Sequence, residues 1–284
     1  MIIDSHAHYA HARYDVEFPY LSYGDSSYEV CRADRENLFL EMQKKGIVGV
    51  IEPSIGFENI EKQMALVAEN PDFMRLSLGV HPTRCFRTDW KNRKKLKYYA
   101  ENASLVAIGE TGLDYHYKRE EQHRWTQKRW FVYQIKLADR LGLPLVLHIR
   151  NADNDALKIL KRYQKKLHGG VVHCFSGDFS LAEKYISLGF ALGIGGKLLC
   201  KEDAAILSET VKRVPLSSLL LETDAPFVLP DTEKGLCTGN QRKKLCNSSC
   251  ILPCLLETIA DLRGESRAFV EETIYRNTRR IFYQ

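Results

Sequence analysis

The chain has 284 residues, 44% of them hydrophobic and 27% charged, with a formal charge of +5 at neutral pH. Such proportions exclude a disordered or collagen-like chain, and the length suits one large core, so a single domain over residues 1–284 is expected. No stretch approaches the roughly 18 consecutive apolar residues of a membrane helix. The start, Met1-Ile2-Ile3-Asp4-Ser5-His6, lacks the basic head and long apolar run of a secretory signal, so a cytoplasmic protein with no membrane partner and no obligatory protein partner is expected. The eight cysteines then read as free thiols rather than staples.

Short apolar runs alternate with helical patterns along the whole chain. The first strand is expected at Ile2–His6. The aromatic-rich insertion Tyr9–Val30 follows, with Tyr9, Tyr14, Phe18, Tyr20, Tyr23 and Tyr28 read as packing a loop down. A helix over Arg32–Lys45 stops at Gly46, and a strand at Ile47–Ile51 leads to a helix over Glu58–Glu69. Strand Met74–Leu78, helix Trp90–Glu101, strand Leu105–Gly109 and helix Glu120–Leu141 come next, the last stopped by Gly142. Pro144 opens strand Leu145–His148, a place where its missing N–H is tolerated. Helix Asp153–Lys166, strand Gly170–His173, helix Leu181–Ser187, strand Phe190–Ile194, helix Glu202–Arg213 and strand Ser218–Glu222 complete the alternation. A second insertion, Leu229–Asn247, precedes helices Pro253–Leu262 and Arg267–Phe282.

Several of the strand runs are continuous rather than alternating, as expected of strands covered on both faces. Eight strands with intervening helices predict an α/β fold of the (β/α)8 TIM-barrel type, in which sites lie at the carboxyl ends of the strands. A dinucleotide-binding sheet is disfavoured, because the first strand-to-helix turn has no G-x-G-x-x-G.

Polar side chains gather at those carboxyl ends. His6 and His8 form an H-x-H after the first strand, and a spacing of two in extended chain puts both rings on one side. Glu110 follows the fourth strand, His148 and His173 end the fifth and sixth, and Asp224 follows the eighth. Buried imidazoles and carboxylates converging in this way call for a metal, and the donor set suits zinc, manganese or magnesium. Strands one and eight are neighbours in a closed barrel, which groups His6, His8 and Asp224. Strands five and six group His148 and His173, and Glu110 can reach towards both sets. Two ions roughly 3.5–4 Å apart would suit attack on a phosphodiester.

The segments Asp4-Ser5-His6-Ala7-His8, Gly79-Val80-His81-Pro82, Ile108-Gly109-Glu110-Thr111-Gly112-Leu113-Asp114-Tyr115, Leu147-His148-Ile149-Arg150, His173-Cys174-Phe175-Ser176-Gly177 and Leu221-Glu222-Thr223-Asp224-Ala225-Pro226 arrive in a recognisable order. In these the chain resembles the TatD-related metal-dependent deoxyribonucleases, members of the amidohydrolase-like barrel hydrolases. The resemblance implies two divalent metal ions per chain, magnesium or manganese in assay and often zinc. It assigns His6, His8 and Asp224 to one ion, His148 and His173 to the other, and Glu110 to both. It also implies hydrolysis of DNA, commonly from a 3′ end. Arg150, two residues past His148, would bind a phosphate bidentately. His81 would meet a phosphate oxygen or serve the leaving group, Asp224 would relay a proton from the attacking water, and Asp114 and Tyr115 would orient neighbouring groups.

Two departures from the family pattern concern substrate contacts. The Arg-Asn-x-Pro segment after the last strand is here Cys246-Asn247-Ser248-Ser249, and Asn151 stands where an aspartate is common. Cys237, Cys246, Cys250 and Cys254 crowd together without the C-x2-C of a zinc knuckle, and they are read as free thiols. The basic runs Lys91–Lys97 and Lys161–Lys166 fall on outer helices and read as solvated surface. Arg242–Lys244 falls in the second insertion, where it would contact nucleic-acid backbone. The alternative reading is a hydrolase of a small amide, ester or lactone on the same barrel.

Overall fold

A computed structural model describes residues 1–24, 26–116, 122–200, 204–231 and 243–283. Ten strands are named here in chain order: β1 Ile2–Asp4, β2 Phe18–Gly24, β3 Ser27–Ala33, β4 Ile47–Pro53, β5 Met74–Leu78, β6 Leu105–Asp114, β7 Leu145–Arg150, β8 Gly170–Val172, β9 Phe190–Ile194 and β10 Leu219–Leu221. Eight of them form one sheet in the order β1-β4-β5-β6-β7-β8-β9-β10. The two ends of that order meet, because Ser5 donates its N–H to Leu221 (2.9 Å) and Ala7 bridges Ala225 in parallel. The pairs β1–β4, β5–β6, β6–β7, β7–β8 and β8–β9 are parallel, and helices such as Ile60–Glu69, Arg124–Leu141 and Asp153–Arg162 separate the strands in sequence, so the architecture is the expected α/β barrel.

Within this fold the chain divides into two compact units: Met1–Ile51 with Cys174–Ala182 and Gly193–Thr278, and Glu52–His173 with Glu183–Leu192 and Arg279–Gln284. In the first, β1 pairs with β4 through Ile2↔Ile47, Ile3↔Gly49 and Asp4↔Val50. Glu222, just past β10, donates its N–H to Ile194 of β9 (3.1 Å).

The first unit also corrects the sequence reading. The insertion after β1 is not simply a packed loop, since β2 and β3 form an antiparallel hairpin with Phe18 opposite Ala33 and Gly24 opposite Ser27. The second insertion returns to this hairpin. Cys246 donates to Pro19 and accepts from Leu21, both at 2.9 Å. Leu21, Leu245 and Ile251 close a small apolar cluster there. Cys237 and Arg242 of the same insertion lie outside the described residues, as does Glu120 at the expected start of a helix. The seven described cysteines are free thiols.

In the second unit β6 is longer than its apolar run. It continues past Gly109 to Asp114, with a register irregularity between Ile108 and Thr111 against β7. Glu110 therefore sits inside a strand, not after it. The continuation needs close backbone approach. A Cβ on Gly112, whose φ is +142°, would lie 2.2 Å from the His148 carbonyl oxygen, so only glycine lets β6 run beside β7 there.

Helix Arg124–Leu141 covers this part of the sheet with Trp130, Phe131, Ile135 and Ala138, and ends at left-handed Gly142 (φ 67°). Two buried glutamines on its inner face tie it down. Gln134 accepts the Val80 N–H (2.7 Å) and donates to the Val80 carbonyl (3.1 Å) and to Thr111 Oγ1 (2.6 Å). Gln127 does the same for the N–H and carbonyl of Asp114, both at 2.8 Å. Replacing Gln134 by alanine leaves the Val80 polar groups buried without these partners, each costing about 1–3 kcal/mol. Urea unfolding of Gln134→Ala is expected to show a loss of roughly 2–5 kcal/mol, and a loss under about 0.5 kcal/mol would contradict this role.

Candidate metal centre

The carboxyl end of β1 is organised by a buried acid. Asp4 is wholly buried, and its Oδ1 accepts the N–H of His6 and of Thr223, both at 3.1 Å. Its Oδ2 accepts from Thr223 Oγ1 and Ser249 Oγ, both at 2.6 Å. Burial nevertheless outweighs these hydrogen bonds and lifts its pKa to about 7. Asp4 thereby ties the strand carrying His6 to the turn carrying Asp224.

That turn is locked from both sides. Asp224 donates its N–H to the His6 carbonyl (2.9 Å), and His8 donates to the Ala225 carbonyl (2.7 Å). Asp224 itself adopts a left-handed conformation (φ 55°). The side chains consequently converge. The two Nε2 atoms of His6 and His8 are 3.3 Å apart, and Asp224 Oδ1 lies 3.8 Å from the first and 3.4 Å from the second. His6 is wholly buried and His8 nearly so. Asn247, the one residue kept from the family's usual segment after the last strand, supports the same turn by donating to the Thr223 carbonyl (2.9 Å). Tyr14 in turn donates to the Asn247 carbonyl (2.8 Å).

A second cluster is built around Glu110, which is 2% exposed. Its Oε1 lies 2.8 Å from His148 Nδ1, 3.3 Å from His81 Nε2 and 3.8 Å from His173 Nε2. The other ring nitrogen of His148 lies 3.0 Å from Asp114 Oδ2. His81 accepts the Thr83 N–H at Nδ1 (3.1 Å), which leaves Nε2–H as the donor towards Glu110 in the neutral ring. Burial, seconded by the charge on His148, keeps the His81 pKa below its usual value. His148 behaves oppositely. Burial opposes its charge, but the hydrogen bonds with Asp114 and Glu110 prevail and raise its pKa to about 9. Asp114 is stabilised as a carboxylate in return: burial works against it, yet contact with His148 brings its pKa down.

Each cluster offers at least three donor atoms within 4.8 Å of one another, namely His6, His8 and Asp224 in the first and His81, Glu110 and His148 in the second. The chemistry fits a divalent ion. In the second cluster two carboxylates hold a proton between them on His148, so the site already demands positive charge, and an ion meets the same demand with the imidazole neutral. The clusters are thus suited to two divalent ions per chain. Arg150 ends β7 opposite Asp114 and is exposed.

Sequence reasoning assigned no role to Asp4, Thr83, Gln127 or Ser249. Asp4 carried one signal, an acid closing an apolar strand two residues before His6; Thr83 sets the His81 ring from two residues away, and Gln127 and Ser249 reach Asp114 and Asp4 only across the fold.

A family model, TatD related DNase, matches residues 3–283. A protein of Erwinia billingiae named 3′-5′ ssDNA/RNA exonuclease TatD is 30% identical over 249 residues, covering 88% of this chain and 93% of that one. A Rahnella sp. protein of the same name is 31% identical over 250 residues, covering 88% and 92%. Among solved structures, the TatD homologue YjjV of Escherichia coli superposes with a TM-score of 0.81 at 27% identity, covering 100% of this chain and 98% of that one. A phosphotriesterase homology protein of Escherichia coli, TM-score 0.65 at 14% identity and covering 100% and 98%, shares the fold.

The raised pKa gives a test in metal-free protein. A group whose folded pKa exceeds its ordinary 6.5 contributes stability that is complete below about 6.5 and lost as the pH rises through about 9. NMR titration of the His148 ring is expected to show a midpoint near 9, falling in Asp114→Asn. A midpoint near 6.5 in the parent chain would contradict the carboxylate pairing.

Proposed function

The chain belongs to the TatD-related DNase family, and from that premise we propose that it is a metal-dependent 3′-5′ exonuclease that hydrolyses the phosphodiester bonds of single-stranded DNA or RNA. The relatives' names support the substrate. The observation that carries the reading is the presence in one chain of two buried histidine–carboxylate clusters of metal-binding type. Among the described residues no helix is long and apolar enough to cross a membrane, and a cytoplasmic location agrees with that.

As the family resemblance implies, His6, His8 and Asp224 would hold one ion and His148 and His173 the other, and Glu110 would serve as a ligand as well. The ions supply Lewis acidity towards the phosphate and an activated water. The protein's own groups then position and protonate. Arg150 takes a non-bridging phosphate oxygen through its guanidinium, and Asp224 accepts the proton of the attacking water. His81, whose Nε2–H faces Glu110, would offer that donor to the departing oxygen once Glu110 is engaged by metal. Asp114 fixes the ring plane of His148 from Nε2, and the proton on the other ring nitrogen has to leave before that ring can bind an ion.

Purified protein given magnesium or manganese is expected to release mononucleotides from a 3′-labelled single strand. Glu110→Gln should lower turnover by at least the 10- to 100-fold typical of disturbed metal surroundings, with the fold retained by circular dichroism. Arg150→Ala should reduce kcat/KM by roughly 10- to 150-fold while leaving bound metal unchanged. Turnover of esters or lactones with no release from any oligonucleotide would replace this reading by the small-substrate one.

A further inference from the structure

Helix Arg124–Leu141 presents an outer face that the metal clusters do not use. Trp125, Arg129, Tyr133 and Lys136 follow one another at spacings of four, four and three, so they lie along one side of the helix over roughly 16 Å. Trp125 is 69% exposed, the largest exposed aromatic side chain among the described residues. Burying an indole would bring one of the largest single gains open to a side chain, so leaving one in water points to use as a contact surface.

The surface around it is rigid and cationic. Trp90 is seated edge-on against Trp130 (ring centroids 5.1 Å, 71°) and against Tyr133 (5.5 Å, 75°). Tyr133 donates its hydroxyl to the Arg93 carbonyl (2.7 Å), tying helix Arg124–Leu141 to the start of helix Arg93–Asn102. The Arg129 guanidinium lies 3.9 Å from the Trp90 ring centroid and 5.2 Å from that of Trp125, and so is held between two indoles. Arg93 covers Trp90 at 5.3 Å. Trp90, Trp125, Arg129, Tyr133 and Lys136 border a groove of about 420 Å³, within the roughly 300–1,000 Å³ of ligand sites. Its charged lining groups are Lys128, Arg129 and Lys136, all cationic, of which Lys128 is paired with Asp155 (2.7 Å). The basic run Lys91–Lys97, which the sequence reading left as solvated surface, begins beside Trp90.

The near end of this face is anchored to the active residues. Gln127, two positions from Trp125, holds the backbone of Asp114, whose carboxylate grips His148. Arg124 lies over the Tyr115 ring at 4.3 Å. An exposed aromatic plate beside fixed guanidinium and ammonium groups matches the two faces of an unpaired nucleic-acid strand. The base stacks, and the phosphates meet charge. A duplex keeps its bases stacked on one another and cannot offer the first contact.

We propose that this helix face is a binding track for the part of a single-stranded substrate that extends beyond the cleaved end, with a base stacked on Trp125 and phosphates on Arg129 and Lys136. The inference rests on the nucleic-acid reading given above.

Fluorescence anisotropy with a phosphorothioate-linked single-stranded dodecamer, which resists hydrolysis, tests it on the metal-loaded protein. Trp125→Ala is expected to weaken binding roughly 5- to 150-fold, the range of one lost base–aromatic stack, and Trp125→Phe to recover most of it. A dodecamer of abasic nucleotides should bind the parent chain and Trp125→Ala equally. Cleavage of a dinucleotide, which has no strand beyond the cleaved bond, should be the same in both. Equal dodecamer affinity in the parent chain and Trp125→Ala would overturn the track, as would an abasic strand bound by the parent as tightly as a base-bearing one, or no binding by the parent. Cleavage of oligonucleotides with an indifferent Trp125 would remove only the track. A Trp125-dependent dodecamer affinity without any cleavage would remove the exonuclease reading instead.

Discussion

A carboxylate inside a buried strand has to be met by positive charge or by hydrogen-bond donors, and Glu110 is met by charge. Its position within β6 is made possible by glycine on the same strand, and its charge is met by a protonated His148 that Asp114 grips from the other side. Three of the sheet's strands contribute to this one arrangement: Glu110 and Asp114 come from β6, His148 from β7, and His173 from the residue after β8. The barrel's strand order thus determines which donors can meet, and helix Arg124–Leu141 keeps β6 in register through Gln127 and Gln134. The first cluster obeys the same rule by different means. There Asp4 is the buried acid, satisfied by N–H and hydroxyl donors rather than by an imidazolium, and it serves as the peg on which His6 and the Asp224 turn are hung.

Much of the framework was legible in the sequence because local signals and the final packing agree. β5, β9 and helix Arg267–Phe282 have the bounds read from apolar runs and stop residues. β6 was cut short at Gly109 because Glu110-Thr111-Gly112 breaks the apolar run, and a strand that carries a site buries polar residues where pattern alone expects a loop. The hairpin β2–β3 was missed for a related reason. Pro19 and Gly24 interrupt the one strand, while Ser27, Glu29 and Arg32 make the other too polar to stand out. What stabilises the pair is the return of Cys246, more than 200 residues later in the chain.

The candidate donors were legible as residue types at strand ends, and the structure brings His6, His8 and Asp224 into one cluster and His148 and His173 around Glu110. Orientation was not legible. His81, read as a partner for a phosphate oxygen, also lies against Glu110, with its ring set by Thr83. Asn247, noticed only as the remnant of a family segment, supports the Asp224 turn from within. Both outcomes depend on hydrogen bonds between residues that periodicity cannot bring together.

The central claim is that each buried cluster holds a divalent ion. Anomalous diffraction from crystals loaded with manganese tests it directly, because the scattering locates each ion independently of activity. The account predicts two peaks per chain, one within bonding distance of His6, His8 and Asp224, the other within bonding distance of Glu110 and the histidines around it. A single peak, or two peaks away from these side chains, would contradict it.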